Sequence, residues 1–165
     1  MTDTSGKIIS RRRIIGIIRR LKARRKKIVF TNGCFDILHP GHIKVFEKSR
    51  SLGDVLVAGI NTDSSVRRLK GNSRPVMNEK SRARLVAALE AVDYVVLFNE
   101  DTPSELIKSI RPDILVKGGD YLRDDIAGRE YAGRVVRIAL EKGFSTTEII
   151  KKIIKKCRPA TILKK

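Results

Sequence analysis

Apolar positions along the chain follow two different periods. Ile14, Ile17, Ile18 and Leu21 recur at helical spacing among arginines and lysines, which predicts an amphipathic helix with Ser10 as its N-cap. Ile28, Val29 and Phe30 form a short β-type run closed by the turn signal Thr31-Asn32-Gly33. A helix over about 40–52 follows, with Pro40 at the first helical position, where a missing N–H costs nothing. Residues 54–60, reading DVLVAGI, are a continuous apolar run suited to a strand buried on both faces of a parallel sheet. Asn61-Thr62-Asp63 caps a short helix leading to Arg67, Arg68 and Lys70, then a loop over 71–75. Residues 78–91 read as a helix with Leu85, Val86, Ala88 and Leu89 on its buried face. A strand at 94–98, a helix capped by Asp101 or Thr102 with Pro103 in its first turn, a strand at 113–116 and a strand at 134–139 complete the alternation. Residues 127–133 form a short helical or loop piece, and Ser145-Thr146-Thr147-Glu148 is a capping box opening a helix through Ile149, Ile150, Ile153 and Ile154.

Strands alternating with helices predict an α/β domain, a Rossmann-like doubly wound parallel sheet of about five strands. A chain of 165 residues matches one domain with a proper core. Its parts are a basic N-terminal extension with the amphipathic helix (1–27), the α/β body (28–156) and a basic C-terminal tail (157–165).

Charge sharpens this division. The net charge is +18, but residues 1–27 carry 11 Lys/Arg against one acid and residues 151–165 carry 7 and none, which leaves 28–150 at +1. The first helix therefore either docks its isoleucines on the body, the reading preferred here, or lies on an anionic membrane or nucleic acid. Met1 to Gly6 is polar and structure is expected to begin near Ser10. Met1 to Ser10 and Arg158 to Lys165 carry no motif and no apolar periodicity, and their removal is expected to leave activity nearly unchanged. Two cysteines 123 residues apart, with no apolar signal sequence, point to a reducing cytoplasm. No apolar run approaches the roughly 18 residues needed to span a membrane.

The candidate chemistry gathers in KIVFTNGCFDILHPGH, residues 27–42. Both histidines of the chain, His39 and His42, lie here at a predicted helix start, where free N–H groups and the positive dipole end favour an anion such as a phosphate. Gly41 leaves room for a ligand to approach the backbone. A helix-cap histidine beside a surface one is an alternative, as is a zinc site from Cys34, Asp36, His39 and His42, although structural zinc sites usually draw ligands from two separated segments. Lys70, before a glycine in a loop, is placed to close over a polyphosphate. Arg82 stands at a helix N-terminus, where a cation is disfavoured, so it is expected to have an anionic partner. Lys117-Gly118-Gly119-Asp120-Tyr121 ends the fourth strand, at the sheet edge where ligands bind, with an acid and an aromatic able to meet ribose and base.

The pairing of TNGCFD with HPGH resembles the cytidylyltransferase-like branch of the HxGH nucleotidyltransferases. The stretches RLKGNSRP (68–75), ALEAVD (88–93), DILVKGGDY (113–121) and STT (145–147) narrow the resemblance to the heptose 1-phosphate adenylyltransferases, over about residues 28–153. That resemblance implies adenylyl transfer from ATP, with Mg²⁺, to D-glycero-β-D-manno-heptose 1-phosphate, giving ADP-heptose and pyrophosphate for lipopolysaccharide core or other surface glycans. It implies catalytic roles for His39, His42 and Lys70. Around the nucleotide it implies Thr31, Asn32, Gly33, Phe35, Asp36, Gly41, Arg82, Lys117, Gly118, Asp120, Tyr121, Ser145, Thr146 and Thr147, with no dedicated metal ligand on the protein. A homodimer is implied. Because many relatives are fused to a sugar kinase, a separate kinase and phosphatase are implied too. Where certain cytidylyltransferases carry an arginine this chain has Leu140-Glu141-Lys142, which leaves Lys142, or Lys151 and Lys152, to meet phosphate charge. Other phosphorylated acceptors, such as glycerol 3-phosphate or FMN, are the main alternative. A basic RNA-binding or regulatory module is a second, opposed by only eight aromatics and no RNA-recognition sequence.

Overall fold

The structure is a computed structural model in which residues 4–119, 126–139 and 143–157 are described. Its elements are α1 (Arg11–Ala23), β1 (Ile28–Gly33), α2 (Pro40–Arg50), β2 (Val55–Asn61), α3 (Asp63–Lys70), α4 (Glu79–Ala87), β3 (Tyr94–Phe98), α5 (Ser104–Ile110), β4 (Ile114–Gly118), β5 (Arg134–Ile138) and α6 (Thr146–Cys157). The sheet is wholly parallel, in the order β3-β2-β1-β4-β5. The expected doubly wound α/β fold is therefore the observed one.

Alternation along β1 builds both cores at once. Ile28 and Phe30 point to one face, where Ile14 and Ile18 of α1 and Leu106, Ile107 and Ile110 of α5 pack on them. Val29 points to the other, against Val45 and Phe46 of α2 and Ala83, Val86 and Ala87 of α4. Ile14 is 0% exposed and Ile18 3%, and burial of each contributes about 1.5–3 kcal/mol. Docking on the body is thus what the stripe of α1 does, and its Ser10 cap accepts from Arg13 N as the sequence predicts.

Two further departures from the sequence reading have clear causes. Thr31-Asn32-Gly33 is strand rather than turn, because all three pair with Ala58, Gly59 and Ile60 of β2. The pairing is close: a Cβ on Gly59 would lie 2.7 Å from the Phe30 ring, so only glycine fits there. Helix α4 ends at Ala87 and buries Arg82, Ala83, Val86 and Ala87, while Leu85 is 41% exposed. A charged residue on the core face hid the true stripe and rotated the expected one.

Residues 4–10 are not an idle tail. Ile8 makes a parallel bridge to Val95 of edge strand β3, and Ile9 is buried and donates its N–H to Val95 O at 3.0 Å. Lys7 Nζ donates to Leu89 O at 3.1 Å and to Val92 O at 2.7 Å. Covering an edge strand removes a row of unpaired backbone groups, so the expectation that structure begins near Ser10 is corrected: it is already present from Thr4. Among the described residues no helix is long and apolar enough to cross a membrane.

In the crossovers from β1 through β2 to β3, α2 and α4 cover one face of the sheet, whereas α5, between β3 and β4, covers the other. The direction of winding reverses between β1 and β4, and at that switch point the strands' carboxyl ends open a crevice suited to a ligand.

Candidate active site

The loop after β1 delivers both histidines to this crevice. His39 is the N-cap of α2, with extended backbone (φ −147°, ψ 165°), and its carbonyl accepts from His42 N at 2.9 Å and Ile43 N at 3.3 Å. Its side chain makes no cap hydrogen bond, and Pro40 begins the helix. The two rings stack, with centroids 3.7 Å apart and planes 22° from parallel. Phe35 meets His42 edge-on at 5.2 Å and rests on Phe46 at 4.8 Å. Both Nδ1 atoms are buried without a hydrogen-bond partner among the described residues. Burial pushes the His42 pKa down to about 4, with His39 adding to the shift, and burial lowers His39 as well. At neutral pH both rings are uncharged, each with one N–H donor and one bare nitrogen.

The loop that holds them is braced from below. Phe35 has φ 45°, a left-handed conformation that non-glycine residues adopt at a cost of order 1 kcal/mol or more. Beside it, Cys34 O accepts from Arg82 Nη1 at 2.5 Å, Met77 O accepts from Arg82 Nε at 3.0 Å, and Arg82 Nη2 pairs with Asp63 Oδ1 at 2.7 Å. The anionic partner expected of Arg82 is therefore Asp63. With its side chain 0% exposed, Arg82 braces the site loop rather than facing a nucleotide, a correction to its expected role. Asp36, 1% exposed, accepts from Val76 N and Met77 N at 2.9 Å and from Arg74 Nε at 2.7 Å. Its carboxylate is consumed in tying residues 74–77 to the histidine loop, which likewise replaces the nucleotide contact expected of it.

Lys70 ends α3 and is exposed. Burial raises the Cys34 thiol pKa, opposed by the nearby charges of Lys70, Arg82 and Arg74. Lys70 thus stands close enough to the histidine loop to be felt there. Across the switch point, Lys117 Nζ donates to Asn32 Oδ1 at 2.6 Å, and burial lowers the lysine's pKa to about 8. Thr31 is buried in the ladder, and a Cβ on Gly33 would press within 3.2 Å of the Phe35 ring. Gly118 ends β4, and Gly119, at φ 114°, donates to Ile138 O at 3.0 Å. Ser145 Oγ accepts from Glu148 N at 3.1 Å, one half of the expected capping box; Glu148 itself pairs with Lys151 at 3.2 Å. No hydrogen bond joins Ser145, Thr146 or Thr147 to the histidines among the described residues. Asp120, Tyr121 and Lys142 lie outside the described residues.

The sequence reading missed Arg74 and Asp63 as brace residues. Asp63 was visible only as part of a helix cap, and no local pattern reveals a partner 19 residues away. The zinc alternative does not assemble: Asp36 faces Arg74, Cys34 Sγ lies 3.9 Å from Asn61 Oδ1, and no three His, Cys, Asp or Glu among the described residues could hold a metal ion.

A parallel doubly wound sheet with two neutral imidazoles at a helix N-terminus beside its switch point defines a Rossmann-like nucleotide-binding domain. A family model described as Cytidylyltransferase-like matches residues 30–152. The chain is 55% identical over 146 residues to the Bifunctional protein HldE of Geobacter sulfurreducens, covering 86% of this chain and 30% of that one. It is 51% identical over 159 residues to that of Pelobacter propionicus (94% and 33%), and 49% over 153 residues to that of Helicobacter acinonychis (93% and 32%). A solved structure, the lipopolysaccharide core biosynthesis protein from Thermoplasma volcanium GSS1, superposes with a TM-score of 0.61 at 32% identity, over 71% of this chain and 99% of that one. The chain belongs to the cytidylyltransferase-like family. It spans about a third of the length of the HldE relatives it matches.

Proposed function

We propose that the protein transfers the adenylyl group of ATP to D-glycero-β-D-manno-heptose 1-phosphate, releasing pyrophosphate and forming ADP-heptose in the cytoplasm. The observation that carries this reading is the stacked neutral histidine pair at the start of α2, with both Nδ1 atoms buried and unpartnered. The sequence motifs after each strand, and relatives about half identical over most of the chain, support it. The homodimer implied by the resemblance belongs to the same proposal.

In this reaction a phosphate oxygen of the acceptor attacks the α-phosphorus of ATP, the bond to the β-phosphate oxygen breaks, and pyrophosphate leaves with that electron pair. The attacking oxygen is already ionised, so no general base is required. What remains for the protein is in-line positioning and stabilisation of charge on the α-phosphoryl group. His39 and His42 supply N–H donors and the α2 N-terminus its dipole. Two imidazoles stacked at 3.7 Å suit the neutral state, since paired cations at that distance would repel. Lys70 stands ready for the leaving phosphates, and Thr146 and Thr147 offer hydroxyls to them. Lys117 orients Asn32 at the crevice floor, where Gly118, Gly119, Asp120 and Tyr121 would line the nucleoside. No carboxylate cluster is present among the described residues, and Asp36 and Asp63 are held by arginines. Mg²⁺ would therefore arrive on the ATP phosphates as part of the substrate.

Pyrophosphate release measured over a panel of nucleotides and sugar phosphates tests the proposal. ATP with heptose 1-phosphate is expected to be the fastest pair; equal rates with CTP, or activity on glycerol 3-phosphate but not heptose 1-phosphate, would replace it with a cytidylyltransferase or another acceptor.

The neutral pair also predicts a pH response. Because the chain has only two histidines, both can be followed by NMR: His42 should titrate near pH 4, and His39 below the ordinary histidine range. A folded pKa depressed below the unfolded value of 6.5 means the unfolded chain binds the proton first. The stability that His42 contributes should therefore be lost as pH drops from about 6.5 toward 4, with no further loss from this residue below that. A titration midpoint near 6.5 for both rings would contradict the buried neutral pair.

A further inference from the structure

Helix α6 is the one element of the described residues whose apolar stripe goes uncovered. None of its residues is buried; Ile149 and Ile150 are half-buried, but Ile153 is 51% and Ile154 55% exposed, and Phe144 just before the helix is 42% exposed. The helix thus leaves the body as it proceeds. On an ideal wheel Ile149, Ile150, Ile153 and Ile154 fall on one side over about 8 Å of the axis, and Lys151, Lys152, Lys155 and Lys156 on the other. Its single acid, Glu148, is paired with Lys151 at 3.2 Å, while Lys152, Lys155 and Lys156 have no ion-pair partner among the described residues. Residues 151–165 carry no acid at all.

We infer that α6 lies on an anionic lipid surface, its isoleucines entering the headgroup boundary and its lysines meeting lipid phosphates. Both halves of the pattern are needed for this. An apolar stripe alone would fit a second copy of the chain, but that would cover the isoleucines and leave Lys152, Lys155 and Lys156, on the opposite side, still without a counter-charge. A basic stripe alone would fit any polyanion, but would leave Ile153 and Ile154 without a purpose in water. An amphipathic helix with an isoleucine face and a lysine face satisfies both at a membrane interface. The contrast with α1 is instructive: it is more basic than α6, yet Ile14 and Ile18 are committed to the core rather than left for a surface to cover.

The test is flotation of the purified full chain with vesicles of phosphatidylcholine alone and of phosphatidylcholine mixed with phosphatidylglycerol. Binding to the mixed vesicles, weak binding to the neutral ones, and weakening by salt are expected. Ile153→Asp with Ile154→Asp should lower binding about tenfold or more. Lys155→Glu with Lys156→Glu should also lower it, since each lysine near an anionic surface contributes about fivefold. Melting curves of each variant separate lost binding from lost folding, and the exposed lysine pair remains informative if the isoleucine pair unfolds. No binding to the mixed vesicles overturns the inference, as does binding indifferent to the isoleucine changes. A dimer dissociated by those changes, without vesicle binding, would assign the face to a second copy instead.

Discussion

His42→Ala is expected to lower the turnover of pyrophosphate release by roughly 100-fold or more, the cost typical of removing one preorganised donor from a site where charge develops. The fold should survive. His42 sits in the first turn of a helix begun by Pro40 and capped without help from the His39 side chain, so truncation removes no capping hydrogen bond. What is lost structurally is an edge contact with Phe35 and a stacking contact with His39, worth on the order of 1 kcal/mol together. His39→Ala should behave similarly on turnover, because each ring holds the other in place. If both variants kept near-normal pyrophosphate release with ATP and heptose 1-phosphate, the proposed mechanism would fail at its first step. Charge replacement offers a sharper contrast: His42→Lys puts a permanent cation where burial holds a neutral ring, and should not restore the rate.

Much of this was legible in the sequence, for identifiable reasons. β2 is a fully buried run of β-branched and apolar residues and β3 a largely buried one, each bounded by turn chemistry, so both were found within a residue of their observed ends. The helix start at Pro40 declared itself, and the presence of both histidines there marked the site without any structural help. Illegible were the long-range partners. Nothing near Arg82 in sequence says that its charge is answered by Asp63, or that it lies on the core face of α4 where an aliphatic residue was expected. Asp36 was assigned to the nucleotide by the family resemblance alone; its burial and its three donors come from residues 38 to 41 positions away. The role of residues 4–10 escaped for the same reason, since a bridge to an edge strand 87 residues distant leaves no period behind.

Arg82→Ala is therefore expected to have the largest effect on stability. The side chain is 0% exposed and joins three pieces of chain: the Cys34 carbonyl of the histidine loop, the Met77 carbonyl, and Asp63 at the start of α3. Removing it leaves a partly buried carboxylate unpaired and two carbonyls without donors, a change that typically costs about 3–5 kcal/mol. Urea midpoints would read this directly. Arg82→Lys should fall between, because one ammonium cannot span all three acceptors as a guanidinium does. Turnover should drop as well, even where the variant is still folded. Without a donor on Cys34 O, Phe35 is free to leave its left-handed backbone, and with it goes the ring that holds His42 edge-on. A double change, Arg82→Met with Asp63→Leu, separates the two effects. Replacing a buried ion pair by apolar groups of similar size often recovers stability, so the midpoint should return most of the way while turnover stays low, since neither new side chain can donate to Cys34 O. Recovery of both together would mean that the brace matters only for folding. An Arg82→Ala protein with an unchanged midpoint would show that the buried pair does not hold the loop at all.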